Sequence, residues 1–278
     1  MENKKIRVTD FARMKAAGRP ITMLTAYDAA FARIFDDAGI DAILVGDSLA
    51  MVVQGQDSTL PVTVDEILYH TRIVARGRKR ALLIADMPFL SYQVSAEDAL
   101  RNAGRMLKEG GAEAVKLEGG TTIASTVERL VRVDIPVMGH LGLTPQSIHR
   151  MGGHRVQGRR SGRGPGCRER ILEDARALEE AGAFAIVLEG MPAPLASEIT
   201  RAVSIPTIGI GAGVGCDGQV LVMHDMLGLT PDFIPRFAKC YVNLWEQTTA
   251  AATAYVREVR ERAFPGPEHS YGIQEGRQ

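Results

Sequence analysis

The chain has 278 residues, 33 Lys and Arg against 33 Asp and Glu, and a hydrophobic fraction of 45%. That length can bury a large core as one α/β barrel or two smaller domains, and a formal charge of zero gives no general attraction to nucleic acid or a membrane surface. No apolar run approaches the ~20 residues that span a bilayer, the start MENKKIRVTDFARMK lacks the apolar stretch of a secretory signal, and Cys167, Cys216 and Cys240 show no CxxC spacing, so small-molecule partners and a reduced cytoplasm are expected.

Residues 8–17 read as a leading helix. Strands are predicted near 21–25, 41–47, 81–86, 113–118, 136–141, 184–189, 206–211 and 218–224. Thr63 and Glu66 form a capping box for a helix toward Ala75. Ser95 can cap a helix with the stripe Ala99, Ala103, Met106 and Leu107, stopped at Gly110 and Gly111. Ile171, Ala175 and Leu178 form a second stripe, and Leu195, Ile199 and Val203 a third. Alternating strands and helices imply a parallel sheet. Eight such units in roughly 250 residues match a (β/α)8 TIM barrel. The 211–218 connection, GAGVGCDG, is too short for a helix, which keeps an open doubly wound sheet in play. Residues 232–263 are helix-rich and 264–278 form a polar C-terminal tail. No linker divides the chain, so 1–278 is expected to be a single barrel domain.

The chemistry lies at the strand ends. AILVGD ends at Asp47, LLIAD at Asp86, AVKLE carries Lys116 and Glu118, PVMGH ends at His140, and AIVLE at Glu189. A strand shows every second residue on one face. Ile43, Val45 and Asp47 should therefore share a core-facing side, as should Leu82, Ile84 and Asp86, and Ala185, Val187 and Glu189. Buried charges need partners or a metal, and the carboxyl edge of such folds is where active sites form. Asp47, Asp86 and Glu118 make a hard-oxygen set suited to Mg²⁺. A single such Asp would more often cap a helix or pair with Arg; three on successive strand ends favour the metal. Zinc would want more His or Cys than His140 supplies. Lys116 suits anion holding better than Schiff-base chemistry, with an ion pair to Glu118 as the structural alternative. His140 either donates to substrate or is a satisfied interior histidine. Glu189 is placed to remove a proton α to a carbonyl, unless it pairs with a loop arginine such as Arg155.

Other signals are weaker. GIGAGVGCDG (209–218) lacks the Walker Lys-Ser/Thr and reads as backbone that approaches a ligand closely. His149 and His154 read as loop residues, and nothing near Cys216 marks an activated thiolate. Arg159, Arg160, Arg163, Arg168 and Arg170 crowd 158–170, a flexible basic loop after strand five whose default reading is solvation.

The stretches TAYDAAFARIFDDAGIDAILVGDSLAMVVQGQDSTLPVTVDEILYHT, VKLEGG, VMGHLGLTPQS, AGAFAIVLEG and IGIGAG..CDGQVLVMHD resemble the 3-methyl-2-oxobutanoate hydroxymethyltransferase (ketopantoate hydroxymethyltransferase) family from about residue 8 to the EHSY near 271. The resemblance implies a barrel of the phosphoenolpyruvate/pyruvate superfamily. It implies transfer of a hydroxymethyl group from 5,10-methylenetetrahydrofolate to 3-methyl-2-oxobutanoate, giving 2-dehydropantoate in the first step of pantothenate synthesis, through an enolate stabilised by Mg²⁺. By motif, Asp47 and Asp86 look like metal ligands, and Glu118 like a third, direct or through water. Asp47, Ser48, Asp86 and Lys116 look like keto-acid contacts, Glu189 like the proton acceptor, and His140 like a substrate-side residue. A homo-oligomer, decameric in bacterial members, is implied too.

Two rivals remain from other classes. A folate-independent, metal-dependent 2-oxoacid aldolase or lyase of the same superfamily would cleave C–C bonds, but many such lyases carry a catalytic Cys in a KCGH-like motif, where this chain has GHLGLTPQS. A barrel without activity, serving as a binding or assembly module, would have no use for the carboxylate set.

Overall fold

The computed structural model describes residues 4–230 and 235–272. The chain forms two compact units, Met1–Met223 and His224–Gln278. In the first, eight strands close into a parallel barrel: β1 (Ile21–Thr25), β2 (Ala42–Val45), β3 (Leu82–Asp86), β4 (Ala114–Glu118), β5 (Val137–Gly142), β6 (Ala185–Glu189), β7 (Thr207–Ile210) and β8 (Gly218–Leu221). β8 pairs back onto β1, which excludes the open sheet.

The short β7–β8 connection needs no helix. Gly218 pairs with Ile208, so the returning chain falls back only a little along the strand direction. A Cβ on Gly218 would lie 2.5 Å from Ile21 O, so only glycine fits between β7 and β1 here.

Helices α1 (Val8–Ala16), α2 (Ala29–Ala38), α3 (Leu49–Val52), α4 (Val64–Gly77), α5 (Ala96–Lys108), α6 (Ala124–Val131), α7 (Ile148–Met151), α8 (Arg168–Glu180) and α9 (Ala193–Ala202) belong to this unit. Asp28 caps α2, Thr63 and Glu66 form the expected box on α4, and Ser95 accepts from Asp98 N at the start of α5. Each cap satisfies backbone N–H groups that a helix leaves open, worth about 1 kcal/mol apiece. The α1 side chains Phe11 and Met14 join Ile21, Met23, Leu82, Ile84, Ala185 and Val187 in the barrel core. Burying a side chain of that size contributes roughly 1.5–3 kcal/mol.

The glycine-rich 209–218 segment serves packing. Cβ atoms on Gly213 and Gly215 would strike Ala193 and Ser197 of α9, at 2.4 Å from Ala193 Cβ and 2.0 Å from Ser197 Oγ. The close backbone approach expected of this segment is therefore toward a helix. His149 likewise lies within α7 and not in a loop.

The second unit takes in most of α10 (Met223–Leu227) and α11 (Leu244–Arg260), which Asn243 caps by accepting from Glu246 N. Residues 232–234 of the expected helix-rich segment and 273–278 of the expected tail lie outside the described residues. Among the described residues no helix is long and apolar enough to cross a membrane. All three cysteines are free.

Candidate active site

Strand alternation places five of the site residues directly. The inward positions of β3, β4, β5 and β6 run through Ile84 to Asp86, Ala114 to Lys116 and Glu118, Met138 to His140, and Val187 to Glu189. Asp47 arrives differently. On β2 it is Ala42 and Leu44 that join the core cluster, so Ile43 and Val45 face away from it. β2 ends at Val45, and the turn after it brings Asp47 to the mouth, where its backbone N donates to Asp86 Oδ2 at 2.9 Å. The shared face assigned to Ile43, Val45 and Asp47 was the wrong one; a turn, not alternation, delivers this carboxylate. Gly46 makes room for it. A Cβ there would stand 3.0 Å from Ser48 Oγ and 3.4 Å from Asp86 Oδ2.

The groups form one network. Lys116 Nζ lies 2.9 Å from Asp86 Oδ1 and 3.2 Å from His140 Nδ1. The ion pair of Lys116 is thus with Asp86 rather than Glu118. His140 Nδ1 lies 3.4 Å from Glu118 Oε1, and its Nε2 lies 3.1 Å from Glu189 Oε2. Glu189 therefore meets His140, not Arg155. Ser48 stands at the edge, its Oγ 2.8 Å from the Tyr27 hydroxyl.

Two residues absent from the sequence reading tie this network together. Pro145 opens a 3₁₀ turn, Pro145–Ser147, that turns Gln146 inward. Gln146 Nε2 donates to Asp47 Oδ2 at 2.9 Å and to Met87 O at 3.0 Å, while its backbone N donates to Glu118 Oε2 at 3.0 Å. The buried Tyr92 hydroxyl accepts from Glu118 N and lies 2.9 Å from Gln146 Oε1. The signal for Gln146 was a polar residue just beyond β5 in GHLGLTPQS; Tyr92 had none beyond its place in the loop after β3.

Electrostatics follow from burial. Asp47, Asp86, Lys116, Glu118 and His140 are all 7% exposed or less. Burial, with Asp86 and Glu118 alongside, pushes the Asp47 carboxyl well above its usual range. Burial also raises Asp86, although Lys116 opposes it. For Lys116, burial pulls down, but Asp86, Glu118 and Asp47 outweigh it and hold the ammonium charged. For His140, burial and Lys116 pull down, and the carboxylates of Glu118 and Glu189 lift it to about 9.

Four carboxyl groups thus face two cationic side chains, and the cost of keeping all four ionised in a dry place is what pushes Asp47 and Asp86 up. Asp86 Oδ1, Glu118 Oε1 and His140 Nε2 are buried without an aligned hydrogen-bond partner. Their partners are ion pairs, Asp86 Oδ1 with Lys116, Glu118 Oε1 with His140 and His140 Nε2 with Glu189, which leave the carboxylate oxygens lone pairs for a ligand. Among the described residues no group of three His, Cys, Asp or Glu side chains forms a metal cage by itself. The donor set fits a hard divalent cation that takes one or two carboxylates and completes its shell with water and substrate. Beside the site, a cavity of about 520 Å³ is lined by Tyr92, Glu118, Gly142, Gln146 and Arg150 among others.

The chain matches the family model described as ketopantoate hydroxymethyltransferase over residues 5–267. It is 58% identical over 268 residues to the 3-methyl-2-oxobutanoate hydroxymethyltransferase of Pelobacter propionicus, covering 96% of this chain and 98% of that protein. Phosphonopyruvate hydrolase, solved with oxalate and Mg²⁺, shares the fold at TM-score 0.59 and 13% identity, covering 95% of this chain and 93% of the other. So does 2,3-dimethylmalate lyase, of the PEP mutase/isocitrate lyase superfamily, at TM-score 0.58 and 16% identity, covering 96% and 92%.

Proposed function

The chain belongs to the ketopantoate hydroxymethyltransferase family, and from that membership and the barrel mouth we propose that it carries a hydroxymethyl group from 5,10-methylenetetrahydrofolate to 3-methyl-2-oxobutanoate, giving 2-dehydropantoate for pantothenate and coenzyme A synthesis. The observation that carries this reading is the buried set Asp47, Asp86, Lys116, Glu118 and His140, with Glu189 at its open edge.

Asp47 and Asp86 would hold Mg²⁺, and Glu118, already engaged by Gln146 N, would reach it through water. When bound, Mg²⁺ supplies the positive charge that acidifies the C3 hydrogen of the keto-acid. Lys116 adds a fixed cation for the keto-acid carboxylate. The Ser48 hydroxyl, steered by Tyr27, supplies a hydrogen bond to the same molecule. Glu189 takes the C3 proton on Oε1, the oxygen turned away from His140, and the His140 imidazolium fixes the carboxylate through Oε2. Carbon C3 then attacks and bonds to the methylene carbon of the folate. Both C–N bonds of that carbon break, and water supplies the hydroxyl. The two folate nitrogens take up the C3 proton from Glu189 and the remaining proton of water, leaving tetrahydrofolate. The buried walls keep water from the reacting carbon until that attack, and Glu189, with its side chain 15% exposed, marks the side left open. The same reading makes the protein a cytoplasmic homo-oligomer.

Assay of 2-dehydropantoate formation, with Mg²⁺ and methylenetetrahydrofolate each omitted in turn, tests the reading. Both omissions should stop product. C–C cleavage of 2-oxo acids without folate would favour the aldolase or lyase alternative.

A further inference from the structure

The connection from β5 to α8 carries more positive charge than its fold uses. Residues 148–167 contain Arg150, Arg155, Arg159, Arg160 and Arg163, His149 and His154, and no Asp or Glu. Three of the arginines first read as one solvated loop are already paired: Arg163 with Glu173, Arg168 with Glu198, and Arg170 with Asp174. Arg168 and Arg170 belong to α8 itself. Among the described residues, the side chains of Arg150, Arg155, Arg159 and Arg160 make no ion pair or hydrogen bond.

These four are exposed, but the loop that carries them is not slack. With His154 they line a cavity of about 810 Å³. Its wall is pinned by backbone hydrogen bonds from Gly158 N to Gly166 O at 2.8 Å, Arg168 N to Arg160 O at 2.9 Å, and Gln157 N to Gly190 O at 2.9 Å. The last ties the loop to the residue beside Glu189. Gly158, at φ 78°, sits so close to Leu195 that a Cβ would lie 2.3 Å from Leu195 Cδ2, so the segment is packed onto α9. Arg150, Met151, Pro165 and Gly166 line both this cavity and the one that reaches Glu118. The two spaces therefore adjoin, one at the reacting groups and one floored by unpaired guanidiniums.

Guanidinium groups grip carboxylates and phosphates through paired N–H donors. A molecule that fills both spaces would have an uncharged reacting end at the barrel mouth and several negative charges some way behind it. We propose that Arg150, Arg155, Arg159 and Arg160 form a polycarboxylate subsite that holds the γ-linked glutamate tail of the folate co-substrate, an assignment that rests on the folate reading above. The shared chemistry is a run of anionic oxygens, and a free phosphate could supply it as well; the experiment separates the two.

Calorimetric titrations with monoglutamyl and pentaglutamyl tetrahydrofolate, a γ-linked tetraglutamate peptide and inorganic phosphate test it. At about 0.02 M salt the pentaglutamyl form should bind about tenfold more tightly than the monoglutamyl form, and the gap should shrink by about 0.3 M salt, as exposed charge pairs are screened. The combined variant Arg155→Gln, Arg159→Gln, Arg160→Gln should lose the gap, with kcat, the keto-acid KM and monoglutamyl affinity unchanged. The same positions changed to Lys should keep most of the gap, which separates charge from fold. Equal affinity of the two folates at low salt, a gap that survives in the Gln variant, or competition by phosphate as strong as that of the tetraglutamate peptide would each overturn the tail subsite while leaving the folate reaction standing. Binding of the peptide with no binding of either folate would instead bring down the folate reading, and the tail assignment with it.

Discussion

Gln146→Met removes four polar side-chain contacts and keeps side-chain length. The losses are Nε2 to Asp47 Oδ2 at 2.9 Å, Nε2 to Met87 O at 3.0 Å, and the contacts of Oε1 with Tyr92 at 2.9 Å and Gln93 at 3.1 Å. The bond to a carboxylate contributes about 1.5–3 kcal/mol, and a neutral bond about 1 kcal/mol. Tyr92 keeps an acceptor in Glu118 O at 3.0 Å, so its loss is small. A net loss of about 3 kcal/mol in metal-free stability follows, measurable by urea denaturation. Asp47 also loses the group that orients it, and losing such a partner typically costs 10–100-fold in metal affinity. Titration of Mg²⁺ in the presence of keto-acid reads that loss. In an Asp47→Ala background the same substitution should cost no further affinity, because the contact it breaks is already gone. A folded Gln146→Met protein with Mg²⁺ affinity within about twofold of wild type would refute the role given to this residue.

Asp47→Ala and Asp86→Ala should each abolish Mg²⁺-dependent binding of 3-methyl-2-oxobutanoate, since each removes an oxygen from a site with few protein ligands; unchanged calorimetric affinity would remove that residue from the metal site. Lys116→Met leaves Asp86 without its partner at 2.9 Å and should cost about 3–5 kcal/mol in metal-free urea denaturation. Mg²⁺ should restore more stability to that variant than it adds to wild type, and equal gains would contradict the charge balance. Gly213→Ala, at φ 84° with its Cβ 2.4 Å from Ala193 Cβ, should cost about 1–3 kcal/mol in thermal denaturation and leave keto-acid binding intact. Weakened binding at full stability would return the glycine segment to the ligand side.

Much of the fold was legible because apolar runs of strand length alternate with helical stripes along the whole chain. The β7–β8 passage was not, because its shape depends on register: pairing of Gly218 with Ile208 shortens the return in a way no local pattern reveals. At the site, Asp86, Lys116, Glu118, His140 and Glu189 were readable from period-two alternation. Asp47 was found through the wrong geometric argument, since a turn after Val45 resets the phase. Gln146 and Tyr92 escaped because neutral polar residues in loops carry no signal until the chain folds them inward. The arginine loop shows the converse: charge alone read as solvation, and only the pairing pattern separates used guanidiniums from unused ones.

Hydrogen exchange at C3 of the keto-acid tests the central claim most directly. In D₂O with Mg²⁺ and no folate, wild type should exchange the C3 hydrogen of 3-methyl-2-oxobutanoate, followed by NMR. Glu189→Gln should bind Mg²⁺ and keto-acid nearly as wild type does but exchange about 10²–10⁴-fold more slowly, the usual worth of a positioned base. Exchange at the wild-type rate in that variant would show that another group removes the proton.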